Sequence, residues 1–195
     1  MDRSEGDLIA AAAAGDRDAF AVLYQRHHLG VYRFARTMTG STTAAEDVTQ
    51  EVFLAFMQGL DRYDEGRGVL STYLYGVARN VSRHRLRKEA RLVSEDHQRS
   101  RELEDPADNP AQLALRLESA AQVRRFIRGL SSRYREVLIL CDLQEVSYEE
   151  AAKVLGTRVG TVRSRLHRAR QMLAERLVTK SVAYVSSNER LRCAI

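Results

Sequence analysis

SYEEAAKVLGTRVGTVRSRLHRARQML, residues 147–173, decides the fold of the C-terminal half. Ser147-Tyr148-Glu149-Glu150 has the form of a capping box, a serine that closes the first turn and a glutamate three residues on. The helix it opens ends at Leu155-Gly156, because glycine takes the left-handed conformation that stops a helix. The turn Thr157 to Gly160 leads into a last helix, expected from about Thr161 to Leu177. Val162, Leu166, Ala169 and Leu173 recur at helical spacing and form the face that must pack inward. Arg163, Ser164, His167 and Arg168 lie away from that face, with Arg165 and Arg170 flanking it. A short helix, a glycine turn and a basic helix make a helix-turn-helix. Arginine on its free face suits guanine edges and phosphates, and serine and histidine reach either. The plainer alternative is a surface helix with solvated arginines. Residues 161–180 carry Glu175 as their one acid, so acidic partners are scarce and DNA binding is the better reading.

Upstream, Ser131 or Ser132 caps a helix from Arg133 to about Leu143, with Val137, Leu138, Leu140 and Cys141 inward. Another helix passes through Leu117, Val123, Phe126 and Ile127. From about Glu89 to Asn109 the periodicity dissolves, and the two prolines of the chain, Pro106 and Pro110, fall in or beside this acidic stretch. It is the best linker candidate.

The N-terminal half reads as three helices. The first runs from about Asp16 to Thr39, with Phe20, Leu23, Tyr24, Val31, Phe34 and Ala35 at helical spacing and Gly40 as its stop. Thr43-Ala44-Ala45-Glu46 has the form of a capping box for the second, through Val48, Val52, Phe53, Phe56 and Met57. Leu60 to Gly68 is a polar loop. The third starts near Ser71, with Leu70, Leu74, Val77, Ala78 and Val81 in one stripe and Arg79, Asn80, Arg83 and Arg87 off it. The expectation is an all-α fold of two small helical domains joined by a flexible linker: 1–92, linker 93–111, 112–178, and a tail 179–195 with no clear period.

The chain has 195 residues, 44% of them hydrophobic, and no run of about 18 apolar residues that could span a bilayer. The start Met1 to Asp7 lacks the basic and apolar regions of a signal peptide, so a cytoplasmic protein is expected. Cys141 and Cys193 lack the spacing of a zinc site or a disulfide framework. The net charge of +5 is concentrated: residues 79–92 hold six basic side chains to one acid, as do residues 161–180. Two compact basic clusters suggest two contacts with a polyanion. The first lies near Tyr63, Tyr73 and Tyr75, and bases beside basic groups and aromatic rings are how single strands are held. Tyrosines at helical spacing are equally at home in a core. Glu46, Asp47, Gln50 and Glu51 sit on the first turns of the second helix, where the helix dipole favours carboxylates. A docking patch for a basic partner is the second reading, and no further ligand at suitable spacing supports a metal.

These motifs resemble the sigma-70 family, and specifically its extracytoplasmic-function (ECF) group. Ala45 to Phe53 is similar to the core-binding helix of region 2, and Thr72 to Asn80 to the helix after the −10 reading loop. Tyr134 to Leu138, Ser147 to Ala152 and Gly160 to Arg170 resemble region 4. Nothing resembling region 3 lies between. The resemblance implies a promoter-reading subunit without enzymatic activity, cofactor or metal. Its partners would be core RNA polymerase (clamp helices and flap), promoter DNA and, as in many relatives, an anti-sigma protein. Glu46, Asp47, Gln50 and Glu51 would dock the polymerase. Asp61, Arg62, Tyr63, Asp64, Arg67 and Tyr73 would read the melted −10 strand through a flipped base, and Arg79, Asn80 and Arg83 would hold its backbone. Arg158, Thr161, Arg163, Ser164, His167 and Arg168 would read the −35 duplex. The acidic linker would thread toward the RNA exit path. The chain departs from the family pattern at Tyr73, where Trp is usual, at Thr157, usually apolar, and at Arg158, usually a Ser or Asn cap. The last two bear on where the final helix begins.

Two other readings compete. A two-domain activator with the same helix-turn-helix would carry a sensing module, typically α/β. A nucleic-acid enzyme would need a metal or nucleophile–base constellation, which His27, His28, His84, His97 and His167 do not supply by spacing.

Overall fold

A computed structural model describes residues 3–60, 63–64, 66, 68–93 and 122–192; the side chains of 92–93 and 178–192 fall outside that description. All regular structure among the described residues is helical, so the fold is all-α. Apart from Val93 the expected linker 93–111 lies outside the described residues, as do Leu117 and Cys193.

The chain opens with a helix the sequence reading omits, α1 (Glu5–Ala13). Ser4 caps it by accepting from the Asp7 amide at 3.1 Å, and Leu8, Ile9 and Ala12 are buried. Helix α2 (Arg17–Thr39) is bounded as expected. Asp16 accepts from the Asp18 and Ala19 amides at 3.0 and 3.1 Å. The bond from Ala19 leads in holding its carboxyl below the usual range. Gly40 closes α2 at φ 79°, where a side chain would be strained. Helix α3 (Thr42–Gln58) begins earlier than expected: Ser41, not Thr43, is the cap, accepting from the Ala44 amide at 3.3 Å. Helix α4 (Leu70–Val93) follows the loop. Leu23, Phe34, Met38, Val48, Val52, Phe56, Leu70 and Leu74 are sealed from solvent between these helices. Burying one such side chain stabilises by roughly 1.5–3 kcal/mol.

In the C-terminal half residues 122–128 are helical (α5). Helix α6 (Ser132–Leu138) runs directly into a π-helical turn, Ile139–Leu143, so the single helix expected to Leu143 changes its winding midway. Helix α7 (Tyr148–Leu155) is capped by Ser147, which accepts from the Glu150 amide at 3.2 Å, and stops at Gly156, φ 62°. Helix α8 (Val159–Arg192) starts two residues before Thr161 and continues through most of the expected tail. Its stripe packs as the spacing requires, with Val162 and Ala169 fully buried and Leu166 nearly so.

The two halves share one continuous core, with α4 against α7 and α2 against the π turn. Arg135 donates to the carbonyls of Met38 at 2.9 Å and Leu130 at 3.0 Å, and also to that of Arg128. Arg128 reaches the Gly40 carbonyl at 3.4 Å. The last carbonyls of α2, which have no partner within their own helix, are thus met by guanidinium groups of the other half.

Candidate nucleic-acid interface

The helix-turn-helix presents most of the residues expected to read duplex DNA. Arg158, Arg163, Ser164, His167 and Arg168 are exposed, and Thr161 is half-buried. Arg158 stands just before α8, where its carbonyl accepts from the Thr161 and Val162 amides at 2.9 and 3.1 Å. Its backbone therefore starts the helix whatever its side chain does. Two of the arginines are steadied from below: Arg163 lies over the Tyr148 ring at 5.7 Å, and Arg168 bonds the Tyr134 hydroxyl, which holds that phenol below its ordinary value. Arg170 is committed elsewhere, in a two-pronged pair with Asp142 at 3.0 and 2.6 Å.

The second basic cluster stands differently. Asp61, Arg62 and Arg67 lie outside the described residues. Tyr63 and Tyr73 meet edge to face at 5.8 Å, and both rings pack on Phe56. The Tyr63 hydroxyl donates to the Gly68 carbonyl at 3.0 Å, which folds the loop back on itself. Asp64 is exposed and accepts from the Gly66 amide at 2.9 Å. Tyr75, by contrast, is a core residue, packed on Phe34 and bonded to Gln144 at 3.1 Å. Tyr63, Asp64, Tyr73 and Asn80 line a cleft of ≈ 660 Å³ whose far wall is Lys153 and Val154 of α7.

Arg79 and Arg83, expected to hold a phosphate backbone, are engaged within the chain. Arg79 Nε donates to Glu136 Oε2 at 2.6 Å, and Arg83 Nε lies 3.6 Å from Glu136 Oε1. A second Arg79 nitrogen reaches the Val154 carbonyl at 3.4 Å. One turn before Tyr75 and Gly76, Thr72 donates to Glu150, which Lys153 also meets at 2.9 Å; the Thr72 bond leads in lowering that carboxyl. Sequence reasoning missed Thr72, Glu136, Glu150 and Lys153 here. Glu136 alone left a signal: an acid set among Tyr134, Val137 and Leu138 must be buried with a cation or lie at a boundary.

On α3, Glu46, Gln50 and Glu51 are exposed and Asp47 is half-buried. Arg85 of α4 forks between Asp47 at 2.8 Å and Glu51 at 2.7 Å. Leu54 and Met57, about half exposed, continue the same helix with apolar knobs that the sequence reading sent inward in the case of Met57. Among the described residues no group of His, Cys, Asp and Glu could hold a metal, and no helix is long and apolar enough to cross a membrane. Burial pushes the Cys141 thiol up to about 11, so it is a poor nucleophile. The helical α1–α4 bundle leaves no place among the described residues for an α/β sensing module.

Residues 23–92 match the family model for sigma-70 region 2, and residues 120–173 that for sigma-70 region 4. The ECF RNA polymerase sigma factor SigM of Mycobacterium tuberculosis is 35% identical over 90% of this chain and 86% of its own. CnrH, solved in complex with the cytosolic domain of CnrY, superposes with TM-score 0.68 at 28% identity, over 88% of this chain and 96% of that one. The sigma factor RpoE of Bartonella quintana, solved with the anti-sigma factor NepR, gives 0.67 at 25%, over 81% and 96%.

Proposed function

The chain belongs to the ECF group of sigma-70 factors, non-enzymatic subunits that direct transcription initiation by RNA polymerase, and from that premise we propose how its own surfaces divide the work. The α8 face of Arg158, Thr161, Arg163, Ser164, His167 and Arg168 reads the −35 duplex. One observation carries this assignment: basic, exposed side chains project from a helix whose opposite stripe, Val162, Leu166 and Ala169, is sealed in the core. A recognition helix needs that division, since burial fixes its register while the free face enters the major groove.

The cleft beside α4 takes the melted −10 strand. Tyr63 and Tyr73 offer ring faces and edges to an extruded base, Asp64 and Asn80 offer polar contacts, and Arg79 and Arg83 pair with phosphates once freed from Glu136. Asp61, Arg62 and Arg67 are assigned to the same loop by sequence. Glu46, Asp47, Gln50 and Glu51 dock the polymerase clamp helices, with Leu54 and Met57 adding apolar area beside the charges. The region 4 half is assigned to the flap. The cytoplasm is the compartment in which these partners are met. An anti-sigma protein belongs to the same reading, because the Bartonella neighbour of like fold was solved with one.

The test is reconstitution. Purified chain and core RNA polymerase are mixed with a template library randomised across both promoter elements, and run-off transcripts are sequenced. Starts enriched downstream of one −35/−10 pair, abolished by R163A/R168A, are expected. Uniform starts, or enrichment unchanged in the double variant, would overturn the α8 assignment.

A further inference from the structure

Resting on the reading of α4 as the −10 surface, we propose that the second half of this chain is an internal competitor for the −10 strand: Glu136 takes the seat of a strand phosphate on Arg79 and Arg83, and α7 caps the base cleft. The closed chain then binds −35 duplex but not −10 strand.

Glu136 is 2% exposed, and its carboxylate sits against two guanidinium groups four residues apart on α4. To an arginine a carboxylate and a phosphate are the same kind of ligand, planar or tetrahedral oxygens accepting charged N–H bonds. One therefore excludes the other at this site. The cleft is blocked by a separate set of contacts. Lys153 and Val154 form its far wall, and Glu150 holds the Thr72 hydroxyl beneath Tyr73. Exposure differs sharply between the two DNA surfaces. The Arg79 side chain is 17% exposed, whereas Arg163, His167 and Arg168 of α8 stand in solvent. Closure thus hides one half of the promoter reader and leaves the other available.

The contact is also suited to parting. Ser82 Oγ, Arg135 Nε and Glu136 Oε1 are buried without a hydrogen-bond partner, and atoms of this kind regain water when a surface opens. Much of the remainder is charged or hydrogen-bonded, so each half can be solvated alone. A protein whose competent state is only partly populated binds with affinity reduced by that fraction.

The experiment uses the full chain, with the α8 face saturated by an unlabelled 20-base-pair duplex and fluorescein-labelled single-stranded dT20 as probe. Wild type, E136Q, E150Q and E136Q/R79A are compared, and hydrogen–deuterium exchange over α4 and α7 reports opening. E136Q is expected to bind dT20 at least about tenfold more tightly, since losing one partner of a buried pair shifts binding by at least that factor. E150Q should move the same way by less, duplex affinity should stay within twofold, and R79A should erase the gain. If exchange shows the halves apart in E136Q while dT20 binding matches wild type and is still lost with R79A, the competitor proposal is overturned and the −10 reading stands. If the halves stay closed in both single variants, the carboxylates are not the latch and the proposal also fails. If R79A leaves strand binding untouched in the opened chain, the −10 reading itself fails. Should E136Q not fold, E150Q alone decides, because that rim carboxylate is part-exposed.

Discussion

Charge reversal of Glu51 separates a structural from a docking role for the acidic face of α3. The wild-type carboxylate pairs with Arg85 at 2.7 Å, and the two side chains are 50% and 28% exposed. A pair so open to water contributes about 0.2–1 kcal/mol. E51K removes it and sets a cation against Arg85, a repulsion of roughly 1 kcal/mol at high effective dielectric. The fold should therefore lose about 1–2 kcal/mol, or a few °C of Tm at roughly 2–4 °C per kcal/mol for a chain of this size. R85Q removes the same pair, and that to Asp47 at 2.8 Å, without touching the acids. Its Tm should fall by a similar or smaller amount. The two variants part company in affinity for core polymerase, measured by fluorescence anisotropy. E51K should bind at least about tenfold more weakly, because an interfacial charge is lost and reversed. R85Q should bind as wild type or more tightly, since its acids are no longer shared. Equal losses of affinity in both variants would show that binding follows local stability, and would sink the docking role.

R163A and R168A should each relax selection at one −35 base pair and cost about 1–3 kcal/mol in specific binding, read by competition against single-base operator variants; unchanged selectivity in both would remove them from the reading face. L166A, at a side chain 2% exposed, should destabilise by about 2–5 kcal/mol, seen as a lower urea midpoint with an unchanged α1–α4 exchange pattern; a loss below 1 kcal/mol would mean the recognition helix is not anchored there. The contact of Glu150 with Thr72 and Lys153 should depend on acid. Its carboxyl is held below its ordinary 4.5, chiefly by the Thr72 hydroxyl. The contribution is full above that ordinary value and is lost as pH falls through the lower folded value. Urea midpoints from pH 7 to 3 should fall less steeply for E150Q than for wild type, and identical slopes would refute the linkage.

Much of the fold is legible locally. Asp16 and Gly40 bound α2, and Ser147 and Gly156 bound α7, because capping chemistry acts within a few residues of the end it fixes. The stripe of α8 is equally legible, since burial on one face imposes a period. What escapes is of two kinds. Helix α1 is nine residues long and too short to declare a period, although Ser4 and the pair Leu8 and Ile9 mark it in retrospect. At the head of α3, Thr43 and Ser41 both make plausible caps, and only the geometry chooses Ser41. The second kind is long range. Arg79 meets Glu136 across 57 positions and Thr72 meets Glu150 across 78. No local pattern encodes such pairs, so a basic cluster that reads as free for nucleic acid is found already neutralised. The −35 face suffered no such revision because its inward and outward sides belong to one helix.

The grip of Arg135 and Arg128 on the end of α2 falls on the carbonyls of Met38 and Gly40, not on side chains. Every amino acid carries that oxygen, so residue 38 can drift without weakening the bond, while its arginine partner cannot. Paired substitution between lineages would then betray the Arg79–Glu136 contact, where one charge must follow the other, and stay silent about this one. A genetic screen would show the same lopsidedness: loosening alleles at Arg135, and no compensating allele at the helix end it holds.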